Sequence, residues 1–123
     1  MTIVVGHLAT PEGLQALRTA VAEAGERGLP LVVVTSGKLP LEECRPEVEE
    51  LVATLAADVD VRVEEGTGDL AEDLIRAATS TGAGLIVIGL RRRSPVGKLI
   101  LGAGAQRILV EAPCPVLAVK VSG

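Results

Sequence analysis

The chain has 123 residues, a mass of 12.6 kDa and no Phe, Tyr or Trp, yet 48% of its residues are hydrophobic. This length predicts one domain over residues 1–123, with a core built from Ala, Val, Leu and Ile. With no aromatic ring on which bases can stack and a net charge of −4, we expect no nucleic-acid partner.

The charges are unevenly distributed along the chain. Residues 42–73 hold 12 acidic and 2 basic side chains, whereas residues 91–107 hold 5 basic side chains and no acidic one. The acidic stretch is typical of a solvated helix face. The basic segment begins with Arg91, Arg92 and Arg93, and this run is either a place for an anion or nucleotide or a solvated loop.

The cysteines and the first residues predict a cytoplasmic protein. Cys44 and Cys114 are the only cysteines and form no C-x-x-C motif, which argues against a disulfide framework. Residues 2–5 begin a strand directly, without the pattern of a signal peptide, and the apolar runs are too short to cross a membrane. No group of His, Cys, Asp and Glu has metal-ligand spacing, so we expect no metal and no membrane association.

Short runs of β-branched residues alternate with longer helical stretches. The first buried strand covers 3–6, and a helix over 11–28 follows it, with Thr10 as the N-cap. A second buried strand covers 31–34, and a second helix covers 42–57. The expected apolar faces consist of Leu14, Leu17, Val21 and Ala24 in the first helix and Val48, Leu51, Val52 and Leu55 in the second.

The second half of the chain continues the alternation. A strand over 59–63 mixes apolar and charged residues and is predicted to lie at a sheet edge. A helix over 69–80, a strand over 85–88 and a long loop over 89–101 follow. A fourth helix begins at Gly102 and ends near Glu111, and a fifth strand covers 115–121.

This order predicts a doubly wound α/β fold, in which an open, parallel, five-stranded sheet carries helices on both faces. Ligands of such folds bind beyond the carboxyl ends of the strands, where the strand order reverses. Loops 6–11, 35–41, 64–69 and 89–103 are therefore the candidate ligand loops. The first loop lacks the acids of a receiver domain, and neither a P-loop nor a dinucleotide fingerprint follows a strand.

The stretch from residue 84 to residue 120 is the most distinctive. It runs through Gly-Leu-Arg-Arg-Arg, then Gly102-Ala-Gly-Ala-Gln-Arg-Ile-Leu, then Ala112-Pro-Cys-Pro-Val-Leu-Ala-Val. Together with Ile3-Val-Val-Gly and Thr10-Pro-Glu-Gly, it resembles the universal stress protein family over essentially the whole chain. The resemblance implies the strand order 3-2-1-4-5, a cytoplasmic location and ATP binding in some members. It also implies a homodimer through the fifth strand, at Val116, Leu117, Ala118, Val119 and Val121.

The ATP-binding branch of that family carries the pattern G-x2-G-x9-G-[ST] and an acid after the first strand. Gly89 and Gly102 match two of the glycines, whereas Arg92, Ala103 and Leu8 replace the other glycine, the hydroxyl residue and the acid. The resemblance therefore implies ATP binding of low affinity at most. The candidate ligand-binding residues are Gly6, His7, Leu8, Thr10, Val34, Thr35, Gly89, Arg91, Arg92, Gly102, Ala103, Gly104 and Ala105.

Two functions remain open at this point. The first is a dimeric stress-response or regulatory module that binds ATP weakly or not at all. The second is a nucleotide-binding protein that holds ATP between Gly89, Gly102 and the helix that follows, with slow hydrolysis as a further step. No acid or nucleophile lies beside His7, the only histidine, so we expect no catalytic residue and no enzymatic activity.

Overall fold

The structure is a computed structural model that describes residues 1–56, 58–91 and 103–121. Strands and helices alternate throughout, as the sequence predicts. In chain order they are β1 (Ile3–Gly6), α1 (Pro11–Arg27), β2 (Leu31–Val34), α2 (Leu41–Leu55), β3 (Val61–Glu64), α3 (Leu70–Thr81), β4 (Leu85–Arg91), α4 (Ala103–Glu111) and β5 (Val116–Val121).

The five strands form one parallel sheet in the order β3-β2-β1-β4-β5, which confirms the predicted fold class and strand order. Strand β1 is central, and its first residue, Ile3, pairs with Leu31 of β2 and Leu85 of β4. Strand β3 lies at one edge, as its mixed composition predicts, and β5 lies at the other. The strand order reverses between β1 and β4, which places the expected ligand site there.

Both faces of the central strands are covered, because alternate side chains of a strand point to opposite sides. Ile3 and Val5 of β1 pack in one cluster with residues of α1 and α2, including Leu17 and Val48. Val4 packs in a second cluster on the other face, with residues of α3 and α4. The continuous apolar runs in β1 and β2 therefore reflect burial from both sides.

At the amino end of each of the first three helices, a side chain accepts a hydrogen bond from a backbone N–H group. The Thr10 hydroxyl accepts a hydrogen bond from the Gly13 N–H at 3.1 Å, which confirms Thr10 as the N-cap of α1. The Asp69 carboxylate accepts from the Glu72 N–H and caps α3. Helix α2 follows Pro40, which offers no cap, and the Leu41 N–H donates instead to the carboxylate of Glu65, in the loop after β3.

The structure differs from the prediction in several details. Residues 89–91 belong to β4 rather than to a loop, because they continue the pairing with Val119, Lys120 and Val121 of β5. Strand β3 covers Val61–Glu64 instead of 59–63. Leu14 is 37% exposed, because α1 packs on the sheet through a row of small residues that includes Gly13 and Ala16, which leaves Leu14 at the margin. Leu55, predicted on the apolar face of α2, is the last residue of that helix and is also 37% exposed.

In the described part of the chain, no helix is both long enough and apolar enough to cross a membrane.

Candidate ligand site at the carboxyl ends of β1 and β4

A small apolar cavity of about 110 Å³ lies where β1 and β4 end. Gly6 and Gly89 contribute the strand ends, Gly13 the first turn of α1, and Ala105 the first turn of α4. Four separate elements thus converge at the point of strand reversal, as the doubly wound topology predicts. The cavity is too small for a nucleotide, so a ligand here would lie over its mouth.

Gly89 allows β4 and α1 to approach each other closely. A Cβ atom at this position would lie 2.1 Å from the carbonyl oxygen of Glu12 and 3.0 Å from the Glu12 Cβ. No side chain fits there without a shift of the backbone. The packing of α1 against β4 therefore requires glycine at residue 89 whether or not a ligand binds.

The first turn of α4 opens beside this cavity. Ala103 and Gly104 are exposed and Ala105 is half-buried, and none of the three has a polar side chain. The first N–H groups of a helix have no partner within the helix, and the helix dipole makes this end attractive to anions. The turn is therefore an accessible place for a phosphate or carboxylate group.

A wider groove of about 560 Å³ adjoins the cavity on the side of α2. His7, Leu8 and Thr10 form one wall, from the loop between β1 and α1. Lys38 and Leu39, in the loop after β2, form another, and Cys44 and Glu47 of α2 also line the groove. Leu8 borders both the groove and the smaller cavity.

The loop between β3 and α3 packs against the carboxyl end of β2 and forms a hydrogen bond with it. Thr35 is 1% exposed, and its hydroxyl accepts a hydrogen bond from the Gly66 N–H at 3.2 Å. Asp73, also 1% exposed, accepts from the N–H and the hydroxyl of Thr67 and from Arg76. Burial raises the pKa of the Asp73 carboxyl, but these hydrogen bonds and the charge of Arg76 outweigh it and hold the pKa below its usual value.

Arg107 of α4 joins helices α3 and α4. Its guanidinium contacts the carboxylates of Glu72 and Glu111, and Asp69 lies 3.7 Å away. Hydrogen bonds to Glu72 and Glu111 raise the pKa of the guanidinium above its usual value. Because these carboxylates already neutralise it, Arg107 adds little positive charge to the first turn of α4.

The described residues contain no group of three or more His, Cys, Asp and Glu that could hold a metal ion. Both cysteines are free thiols, and burial raises the pKa of the Cys114 thiol. Cys114 is half-buried.

The family model described as "Universal stress protein family" matches residues 35–120 of the chain. A universal stress protein of Mycolicibacterium smegmatis is 41% identical over 128 residues, a region that covers 98% of each chain. The chain belongs to the universal stress protein family. Two solved universal stress protein structures from Archaeoglobus fulgidus are similar to it, each over 98% of both chains. One has a TM-score of 0.76 at 29% identity, and the other, in complex with dAMP, has a TM-score of 0.70 at 24% identity.

In this universal stress protein, the candidate residues fall into distinct groups. Gly6, Leu8, Gly89 and Ala105 meet around the cavity, with Ala103 and Gly104 beside it. His7 and Thr10 lie on the groove. Val34 and Thr35 are buried at the end of β2, where the Val34 carbonyl accepts from the His7 N–H at 2.8 Å. The backbone of Arg91 ends β4, whereas Arg92, Arg93 and Gly102 lie outside the described residues.

Sequence reasoning missed part of the groove wall. Cys44 and Glu47 belong to α2, and only the position of α2 against the loop after β1 brings them to the groove. Lys38 and Leu39 lie within the predicted candidate loop 35–41, so their position in the chain was the one signal that could have identified them.

Proposed function

We propose that this universal stress protein is a regulatory module that binds an adenine nucleotide with low affinity and has no enzymatic activity of its own. The main support is the exposed first turn of α4, which lies beside the cavity at Gly6 and Gly89. Family membership and the dAMP complex of a structural neighbour support a nucleotide rather than another anion.

The phosphate group would lie against the N–H groups of Ala103, Gly104 and Ala105. This contact is electrostatic and needs no side chain. The hydroxyl that the family pattern places at residue 103 is absent, which removes one hydrogen bond worth about 0.5–1.5 kcal/mol. A site built from backbone donors alone would hold AMP, dAMP or ATP with lower affinity than one that also has this hydroxyl.

The nucleoside would occupy the groove beside Leu8 and Leu39. With a volume of about 560 Å³, the groove falls within the usual range for small-molecule sites. Leu8 stands where the family pattern has an acid, so no carboxylate at residue 8 can accept a hydrogen bond from a ribose hydroxyl. We therefore expect weak discrimination between AMP and dAMP.

Calorimetric titration of the purified protein with AMP and ATP tests this proposal. Gly104→Asp places a negative charge in the exposed first turn of α4 and should weaken AMP binding by about tenfold or more, an effect of about 1.4 kcal/mol. Val110→Asp adds the same charge at a position of the same helix that is 84% exposed, and it should leave AMP affinity near the wild-type value. Absence of AMP and ATP binding at millimolar ligand would refute the proposal.

The module would be a single domain over residues 1–123 that works in the cytoplasm as a homodimer. Support for the dimer comes from β5, which lies at a sheet edge and whose residues, apart from the exposed Lys120, are half-buried. A second β5 that pairs with this edge would satisfy its free N–H and C=O groups. Sedimentation velocity should detect a dimer at micromolar concentration, and a purely monomeric species would contradict this part of the proposal.

A further inference from the structure

The loop between β3 and α3, residues 65–69, falls within one of the candidate ligand loops, yet it lines neither the cavity nor the groove. It packs instead on the loop after β2, backbone against backbone. A Cβ atom at Gly66 would lie 2.0 Å from the carbonyl oxygen of Thr35, and one at Gly37 would lie 2.3 Å from the carbonyl oxygen of Gly66. The two loops thus touch with no room for a side chain between them, and the hydrogen bond from the Gly66 N–H to the Thr35 hydroxyl holds them together.

Glu65 extends this contact to helix α2. Pro40, which precedes the helix, offers no side-chain cap, and the Leu41 N–H donates to the Glu65 carboxylate at 3.1 Å. The first N–H groups of a helix have no partner within the helix, so a carboxylate from a distant part of the chain takes the place of the missing cap. Cys44, about one turn further along α2, lines the groove. The α2 wall of the groove is therefore held at its amino end by a residue that does not itself border the groove.

From this geometry we infer that Glu65 is a positioning residue for the groove: through the amino end of α2 it keeps the α2 wall in place for a nucleoside, without contacting the nucleoside itself. The inference rests on the proposed function, which places the nucleoside in the groove. Loss of an N-cap shifts the equilibrium at a helix end by roughly two- to thirtyfold. A groove whose wall is not held in place binds more weakly, because the ligand must then order the wall on binding.

Two measurements on the full chain test this inference. One is the affinity for AMP, by calorimetry. The other is the rate at which iodoacetamide alkylates Cys44 without nucleotide, read by mass spectrometry of the peptides, with Cys114, which packs on the other face of the sheet, as the internal reference. Glu65→Ala should lower AMP affinity about fivefold and raise the Cys44 rate about threefold or more, while the Cys114 rate stays unchanged. A general loosening of the fold would raise both alkylation rates together.

Glu65→Gln tests the hydrogen bond itself, because the amide oxygen of glutamine can still accept from the Leu41 N–H. It should keep both AMP affinity and the Cys44 rate within about twofold of the wild-type values. Glu49→Ala is the matched control, since it removes an equal charge from an exposed position of α2 that does not line the groove. It should leave AMP affinity and both alkylation rates at their wild-type values.

The outcomes separate this inference from the proposed function. If the wild-type protein binds AMP, the inference is overturned when Glu65→Ala keeps the wild-type value of either AMP affinity or the Cys44 rate, or when Glu65→Gln behaves like Glu65→Ala; the proposed function then stands. If none of the proteins binds AMP, the proposed function fails. A selective rise of the Cys44 rate in Glu65→Ala would in that case still support Glu65 as the residue that positions the groove wall, and an unchanged rate would overturn it.

Discussion

Replacement of Gly89 by alanine separates the structural role of this glycine from a role in ligand binding. The new methyl group would lie 2.1 Å from the carbonyl oxygen and 2.6 Å from the carbonyl carbon of Glu12. Ordinary contact begins near 3.4 Å, so the first turn of α1 or the end of β4 must move by about 1 Å. Both are backbone segments of a packed interior, and overpacking of this kind costs about 1–3 kcal/mol. We expect Gly89→Ala to lower the free energy of unfolding by about that amount.

The assay is urea unfolding followed by circular dichroism, because the chain has no Trp or Tyr to report by fluorescence. Gly104→Ala provides the control, since its Cβ would make only an ordinary contact with the Ala71 Cβ at 3.9 Å and would lie within helix α4. Alanine in a helix is more stable than glycine by about 0.5–1 kcal/mol, so this variant should be as stable as the wild type or slightly more stable. If Gly89→Ala unfolds at the wild-type urea concentration without ligand, the close approach of β4 and α1 is not what requires this glycine.

Two further predictions concern Asp73 and Leu8. Because the folded state holds the pKa of Asp73 below its unfolded value of 3.8, the carboxylate stabilises the fold above that pH and loses its contribution as the pH falls through the lowered pKa. Asp73→Asn should therefore lower the free energy of unfolding by about 2 kcal/mol at pH 7 and by much less near pH 2. Urea unfolding at both pH values measures this difference, and an equal loss at both would contradict a stabilising role of the Asp73 carboxylate. Leu8→Asp places an acid beside the groove and should make AMP bind about tenfold more tightly than dAMP in calorimetry. The wild-type protein should bind AMP and dAMP with similar affinity. If the variant shows the same ratio of AMP to dAMP affinity as the wild type, the ribose does not lie beside residue 8.

Local patterns predicted the framework of this protein well. The apolar runs of β1 and β2 and the Thr10 cap depend on neighbouring residues and on simple burial, so the sequence is sufficient to place them. The mixed composition of the predicted strand over 59–63 likewise identified β3 as an edge strand. The alternation of strands and helices predicted a doubly wound parallel sheet, whereas the strand order, and with it the point of reversal where a ligand is expected, came from the resemblance to the universal stress protein family.

Features that depend on contacts between distant segments could not be predicted. The extension of β4 to Arg91 results from pairing with β5, because Leu-Arg after Gly89 is not by itself a strand signal. The position of Glu12 against Gly89 depends on how closely α1 packs on the sheet. Asp73, in the first turn of α3, accepts hydrogen bonds from Thr67 of the preceding loop. This role depends on the folded position of that loop, so the sequence does not indicate it.

The loop between β3 and α3 forms hydrogen bonds at three separate places, with Thr35, with Asp73 and with the amino end of α2. Since two of these bonds engage the N–H groups of Gly66 and Thr67, both amides should exchange with deuterium slowly for residues in a connecting loop. The loop thereby links the end of β2 to the first turn of α3. Because the same loop also holds the amino end of α2 through Glu65, the groove residues Cys44 and Glu47 are tied through α2 to the end of β3.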